Sequence, residues 1–306
     1  MARPCWRASL QRDAVMEAIK ALIPILLTVS LAGLVFVVGL NSGRGELLYV
    51  FRRPALLARA VLAVLVIPPI AAGLLIWALP LTPAVKAGIM LMAVAPVPPL
   101  VPGKELKMGG SKEYAYGVYV AMALLTVISV PLVFEVASAL FGRPEDKVPM
   151  TKLIMTILTG VLLPLALGLL VRRFAPAIAD KAAPLIYKLS MLLVLLAFLP
   201  ILVAIWPALE ALIGNGTLLA MAVVTVICIA AGHMLGGPER LNRATLAVAA
   251  SVRHPGIAIA LAGANFVGKE VQAAVLLYLL VGLVVGALYG VWLKRSAPAH
   301  GAPAAP

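Results

Sequence analysis

The sequence SVRHPGIA (Ser251–Ala258) interrupts a long apolar run that extends from Leu241 to Val267. It places an arginine and a histidine directly before a proline and a glycine. Proline lacks a backbone donor and clashes with the preceding helical turn, and glycine accepts almost any backbone angle. A membrane helix with this insert is predicted to break and to leave polar backbone groups free. Such a break is tolerated only where protein or a water-filled cavity meets those groups, and charges at membrane depth usually mark function.

The composition is that of a membrane protein. Of 306 residues, 63% are hydrophobic and 12% are charged, whereas charged residues make up about 25% of soluble domains. Apolar runs of about 18 or more residues recur along the chain, which predicts an all-α polytopic protein with the lipid bilayer as its partner. The net charge of +13 is explained better by basic cytoplasmic loops than by a nucleic-acid partner. Cys5 and Cys228 stand in dissimilar contexts and indicate no disulfide framework.

We divide the chain into an N-terminal tail (1–18), a single transmembrane domain (19–293) and a disordered C-terminal tail (294–306). The transmembrane domain is predicted to hold about nine spanning helices, with a polar loop at 104–113 and a basic linker at 172–188. The predicted spans are 19–40, 54–79, 84–101, 114–141, 152–171, 189–206, 217–235, 241–267 and 271–293.

Lysine and arginine are concentrated in the loops of one side of this topology. The positive-inside rule makes that side cytoplasmic. It predicts a multi-pass protein of the inner or plasma membrane, with the N-terminus outside and the C-terminus in the cytoplasm. The N-terminal tail departs from the rule, because its basic residues would then lie outside.

The spans fall into two sets, one to four and six to nine, of opposite topology. The third member of each set is broken, the first at Ala95–Gly103, which holds four prolines, and the second at Arg253–Gly256. Interrupted helices in corresponding positions of inverted halves point to the binding site of a secondary transporter. The two breaks are therefore expected to approach each other, despite their separation in sequence.

The chain resembles the bile acid:sodium symporter family over about Ile25 to Leu293. The matching segments are Ala87–Leu91 with Ala95-Pro96, Ser129–Leu132, His233–Gly236, Arg243–Thr245, His254–Ala262 and Asn265-Phe266. The resemblance implies two crossing broken helices and a core domain that works against a panel domain. The panel helices would be about 19–40, 152–171 and 189–206, and the core helices about 54–141 and 217–293. It also implies symport of an organic anion with sodium.

The sequence departs from the family where sodium binds. The family's second break reads acidic-x-Gly-x-Gln-Asn-Ser-Gly, whereas this chain has Ala249, Ser251, Arg253, His254, Pro255 and Gly256 there. Hard cations require several oxygen ligands, and no carboxylate is placed in the middle of a span; Glu135 is the nearest. Sodium is the one cofactor that the resemblance implies, but these replacements put it in doubt, and the metal ligands stay unassigned.

Two residues of the second break carry competing interpretations. Arg253 either binds an anionic substrate or takes the place of a sodium ion, and the alternative is that it pairs with backbone carbonyls and supports the fold. His254 either relays protons, since its ordinary pKa is about 6.5, or is a neutral hydrogen-bonded histidine. The candidate substrate-binding or transport residues are Arg253, His254, Pro255, Gly256, Ser251, Pro96, Pro98, Pro99 and Ser129.

The sequence favours a transporter of a small organic anion over two other classes. A receptor or scaffold could inherit the same fold, and an intramembrane enzyme is the other alternative. No His-Glu-x-x-His, paired-aspartate or nucleophile-elbow motif is present, so the protein is not expected to be an enzyme.

Overall fold

The structure, a computed structural model, describes residues 4–108, 110–141, 150–266 and 268–296. These residues form helices and connecting turns without a strand, which confirms the all-α prediction. The helices are α1 (Pro4–Asn41), α2 (Arg44–Phe51), α3 (Pro54–Val61), α4 (Ile67–Ala78), α5 (Pro83–Val94), α6 (Val101–Lys107), α7 (Lys112–Phe141), α8 (Met150–Ile157), α9 (Leu163–Phe174), α10 (Pro176–Glu210), α11 (Thr217–Leu235), α12 (Arg240–Ser251), α13 (Pro255–Asn265) and α14 (Glu270–Arg295).

Seven helical segments of the described residues are long and apolar enough to cross a membrane, which confirms a polytopic protein. An eighth arises if the apolar segments Ile25–Asn41 and Arg44–Phe51 are counted as one broken span. The predicted third span corresponds to α5, which is too short to qualify. The predicted count of nine is therefore not confirmed.

Three segments that were predicted as tail, loop or linker are helical. Helix α1 begins at Pro4, because residues 5–18 contain no proline or glycine to stop it. Helix α10 begins at Pro176, inside the predicted linker, and proline suits the first helical turn. Helix α6 occupies the start of the predicted polar loop. Of the predicted C-terminal tail, 294–295 end α14, and 297–306 lie outside the described residues.

Two π-helical segments interrupt the apolar helices. Leu62–Val66 lies between α3 and α4, and Leu158–Leu162 lies between α8 and α9. Each ends two residues or fewer before a proline, Pro68 and Pro164 respectively. A proline removes one helical hydrogen bond and clashes with the carbonyl four residues earlier, so the adjacent turn widens locally.

The chain divides into two compact units, of which the first comprises residues 1–43 and 156–206. Two of the three predicted panel helices, 19–40 and 189–206, lie in this unit, and of the third, 152–171, it contains residues 156–171. Within it, α1 packs against α9, and a Cβ at Gly39 would lie 2.6 Å from the carbonyl oxygen of Leu165. A buried cluster of Val37, Leu40, Ala179 and Ala183 joins α1 to α10.

The second unit comprises residues 44–155 and 207–306 and contains both predicted breaks. Its most extensive helix packing is between α11 and α12. A Cβ at Gly232 would lie 2.6 Å from Ala247 Cα, and a Cβ at Gly88 of α5 would lie 2.5 Å from Ala274 Cβ of α14. Glycine at these positions lets α12 and α5, the helices that lead into the two breaks, approach their neighbours closely.

Candidate functional site

The structure contains both breaks. Helix α5 ends at Val94 and α6 begins at Val101, and the C-cap residue Ala95 has left the helical conformation with φ −58° and ψ 144°. Helix α12 ends at Ser251 and α13 begins at Pro255. Each break therefore separates two short helices by only a few residues of non-helical backbone.

The two breaks are in direct contact. The backbone N–H of His254 donates a hydrogen bond of 2.9 Å to the carbonyl of Pro96. This bond joins positions far apart in sequence within the second unit. It confirms the expectation that the breaks approach each other, and it satisfies one polar backbone group of each.

The first break contains few backbone N–H groups that need a hydrogen-bond partner. Pro96, Pro98 and Pro99 are all buried and have no N–H group to leave unpaired. The backbone N–H of Val101, where α6 begins, donates to the Pro98 carbonyl at 3.1 Å. These prolines thus allow an unwound segment to be buried with few unmatched donors.

The second break uses side chains for the same purpose. His254 is the N-cap residue of α13, and its Nδ1 accepts a hydrogen bond of 3.3 Å from the backbone N–H of Ile257. An accepting Nδ1 carries no proton, so the imidazole is neutral in this conformation. This geometry favours the neutral hydrogen-bonded histidine over the proton relay, because a proton on Nδ1 would remove the cap.

Arg253 lies against packed protein. Its side chain is 2% exposed, and its Nη2 donates to the carbonyl of Ala250 at 2.8 Å. The guanidinium is also hydrogen-bonded to the Cys228 thiol and interacts electrostatically with the Tyr278 hydroxyl. These contacts favour support of the break through a backbone carbonyl; its proposed contact with a substrate anion stays a prediction.

The donor set at this break does not suit a sodium ion. A sodium site offers several oxygen atoms to the ion. Here a guanidinium N–H already points at the Ala250 carbonyl, and a fixed positive charge repels a second cation placed nearby.

Of the other predicted site residues, Ser251, Pro255 and Gly256 lie at or next to the second break, and Ser129 lies on another helix. Ser251 Oγ donates to the Val248 carbonyl at 3.2 Å, so it caps the end of α12. Pro255 and Gly256 are half-buried in the first turn of α13. Ser129 lies on α7 and is not brought to either break by any hydrogen bond among the described residues; its Oγ is buried without a hydrogen-bond partner there.

Glu105 is a feature that the sequence-based analysis missed. It was assigned to the polar loop 104–113, but α6 makes it 1% exposed. Both of its carboxylate oxygens are buried without a hydrogen-bond partner among the described residues. The signal that could have revealed it is Pro102, which suits a first helical turn, together with the four-residue spacing that places Glu105 on the same helix face as apolar Val101.

Comparison with protein families gives one match. The family model of the Sodium Bile acid symporter family matches residues 28–207, more than half of the chain. The matched region includes the first break and ends before the second. A comparison with curated proteins found no match.

Proposed function

The chain belongs to the sodium bile acid symporter family, and from that premise we propose that it is a secondary transporter of a small organic anion. Members of this family are membrane transporters rather than enzymes, and the chain is an integral multi-pass membrane protein. A non-transporting receptor or an intramembrane enzyme on the same fold is the alternative.

The observation that supports transport most directly is the hydrogen bond between His254 N–H and the Pro96 carbonyl. Membrane transporters place their binding sites where discontinuous helices meet, because unwound backbone groups and half-helix ends there are free to contact a solute. Two broken helices that cross inside one compact unit reproduce that arrangement. A receptor has no need of it.

The anion preference of the proposal rests on the charges around the crossing. Arg253 places a permanent positive charge beside Ala250 at the end of α12, since a guanidinium stays protonated in proteins. Helix α13 begins at the crossing, and its N-terminal end carries a partial positive charge. The residues proposed to line the path are those of the two breaks, with Ser129 on α7 as an outlying member.

Arg253 takes the place of a bound sodium ion in this proposed transporter. A sodium ion at a broken helix binds the carbonyls of the unwound backbone transiently, whereas Arg253 binds the carbonyl of Ala250 permanently. Transport is then independent of sodium, and is either facilitated or coupled to protons. We place the protein in the inner or plasma membrane, with the N-terminus outside and the C-terminus in the cytoplasm.

Solute counterflow tests this function. Liposomes that contain the purified protein are preloaded with unlabelled cholate, benzenesulfonate or pyruvate. Entry of the same anion in labelled form is then measured and compared with entry into protein-free liposomes. Transient accumulation of at least one anion is the expected result. Absence of counterflow for all three, with folded protein present, would favour the receptor or enzyme alternative.

A matched pair of variants links the activity to the crossing. Pro255→Ala alters a proline in the first turn of α13, and Pro83→Ala alters a proline in the first turn of α5, away from the crossing. We expect counterflow to fall in Pro255→Ala and to persist in Pro83→Ala, with equal membrane insertion. Equal activity in the two variants would separate transport from the break.

A further inference from the structure

Helix α6 buries a carboxyl group that the proposed transport site does not use. Glu105 is 1% exposed, and neither of its oxygens has a hydrogen-bond partner among the described residues. An ionised carboxylate in that environment is strongly unfavourable, so such a group is either paired or neutralised. No described cation forms a salt bridge with it.

The charged and titratable groups around Glu105 do not change this conclusion. Helix α6 packs against α7 and α12, and the carboxyl interacts electrostatically with Tyr114 of α7. On α12 the guanidiniums are engaged elsewhere, that of Arg240 with the Leu293 carbonyl and that of Arg243 with the Gly237 carbonyl. The remaining groups are Lys104 and Lys107 on α6, Lys112, Glu113, Tyr116 and Tyr119 in the first turns of α7, and Arg59 and Tyr49 near Tyr114.

Two of these groups, Lys104 and Lys112, are directed away from the carboxyl by contacts of their own. The Lys104 ammonium faces α14, where a Cβ at Gly286 would lie 3.4 Å from its Nζ. The Lys112 ammonium pairs with Glu46 at 3.1 Å. Burial consequently dominates, and it raises the pKa of Glu105 well above its ordinary value; Glu105 lies outside the segments that qualify as membrane spans.

A single carboxyl group without a partner is suited to bind a proton rather than a metal ion. A metal cation requires several oxygen ligands at once, and the described residues contain no group of three or more histidine, cysteine or acidic side chains that could hold a metal ion. A proton requires one oxygen and neutralises the charge that burial penalises.

We propose that Glu105 binds a proton in the conformation described here and releases it in a second conformation that opens α6 to water. The proton is then the coupling ion of the transporter, a step that rests on the proposed function, whereas proton binding by Glu105 does not. Each conformational cycle would carry one proton on this residue, without a metal ion.

The first experiment measures proton binding without any substrate. Thermal unfolding of the purified protein in detergent is recorded from about pH 5 to pH 8 for wild type, Glu105→Gln and Glu113→Gln. The folded-state pKa of Glu105 is higher than its unfolded value of about 4.3. Its contribution to the free energy of unfolding is therefore complete below about pH 4.3 and is lost as the pH rises towards the folded-state pKa. The Tm of wild type should therefore fall more steeply with pH than that of Glu105→Gln.

The control and a second variant make the result decisive. Glu113→Gln alters an exposed carboxyl on α7 and should keep the wild-type pH profile. If Glu105→Gln does not fold, Glu105→Leu supplies an apolar side chain of similar size and should show the same flat profile. A pH profile of the Glu105 variants equal to that of wild type would overturn the proposal.

The second experiment tests coupling in liposomes. Uptake of the anion that shows counterflow is measured with an imposed pH gradient, with choline in place of sodium. We expect the gradient to drive wild-type and Glu113→Gln uptake, and Glu105→Gln to exchange the anion without response to the gradient. A gradient response retained in Glu105→Gln would refute coupling through this residue. Absence of all counterflow beside a Glu105-dependent Tm profile would instead refute the transport function and leave the proton site standing.

Discussion

The two breaks of the second unit meet the same physical problem by opposite means. The break at Ala95–Leu100 contains prolines that eliminate backbone donors, and it contributes a carbonyl, that of Pro96. The break at Val252–His254 adds side-chain groups, with Arg253 donating to a carbonyl and His254 accepting from an N–H. Unwound backbone inside a membrane protein must be satisfied by protein or water.

The difference indicates which break is adaptable. A proline-lined segment has fixed φ angles and no donors to exchange, so it is suited to be the constant side of the crossing. Arg253 and His254 hold their backbone partners through side chains that rotate. We therefore expect substitutions at the second break to affect stability and transport in ways that substitutions at the first do not.

The largest effect is expected where the helices that lead to the breaks are packed. Gly232→Val places a Cβ 2.6 Å from Ala247 Cα, a backbone atom of α12 that cannot move independently. Overpacking of this kind lowers the free energy of unfolding by about 3 kcal/mol. Denaturant unfolding in detergent measures it.

Substitutions of two further glycines provide a comparison for the loss of stability in Gly232→Val. Gly88→Val meets the side chain and backbone of Ala274 beside the first break, whereas Gly282→Val on α14 meets nothing within 4 Å. The expected order of destabilisation is Gly232, then Gly88, then Gly282. Equal effects at Gly232 and Gly282 would show that close packing of α11 on α12 does not support the second break.

A smaller effect is expected from Arg253→Met. The substitution keeps an apolar stem but leaves the Ala250 carbonyl without its donor, and a buried unsatisfied group costs about 2 kcal/mol. Arg52→Met, at an exposed position, is the control. Unchanged or increased stability of Arg253→Met would mean that the fold merely tolerates this charge, as it does some buried ion pairs.

The smallest effect is expected at the cap of α13. His254→Ala removes the acceptor of the Ile257 N–H and should lower the free energy of unfolding by about 1 kcal/mol, whereas His254→Asn should restore most of it because asparagine is a strong N-cap residue. Both variants keep the backbone bond to Pro96. An identical loss in the two variants would show that the imidazole acts by another contact.

Both breaks could be predicted because proline and glycine act locally. Pro255-Gly256 and the four prolines between Ala95 and Gly103 concentrate helix-breaking residues within a few positions, whereas the isolated Pro131 lies inside the continuous helix α7. Their contact was inferred from inverted topology, and the bond between His254 and Pro96 bears it out.

The features that were missed depend on packing rather than pattern. Glu105 stands beside lysines and glycines, as in a solvent-exposed loop, and becomes buried only because α6 packs against α7 and α12. The cap formed by His254 was also not predicted, since histidine is not among the preferred N-cap residues. The sequence likewise could not show that 176–188 continue as α10, because basic residues occur equally in loops and in helix ends.

The measurement that tests the central claim most directly is uptake of the counterflow anion with sodium replaced by choline. If Arg253 permanently binds the break that a sodium ion would otherwise hold, the initial rate of uptake should be the same in the two media at every concentration of the replaced cation. A collapse of uptake in choline that sodium restores in a saturable manner would contradict the account. It would mean that carbonyl and hydroxyl oxygens, such as those of Ser251 and Ser129, form a sodium site beside the guanidinium.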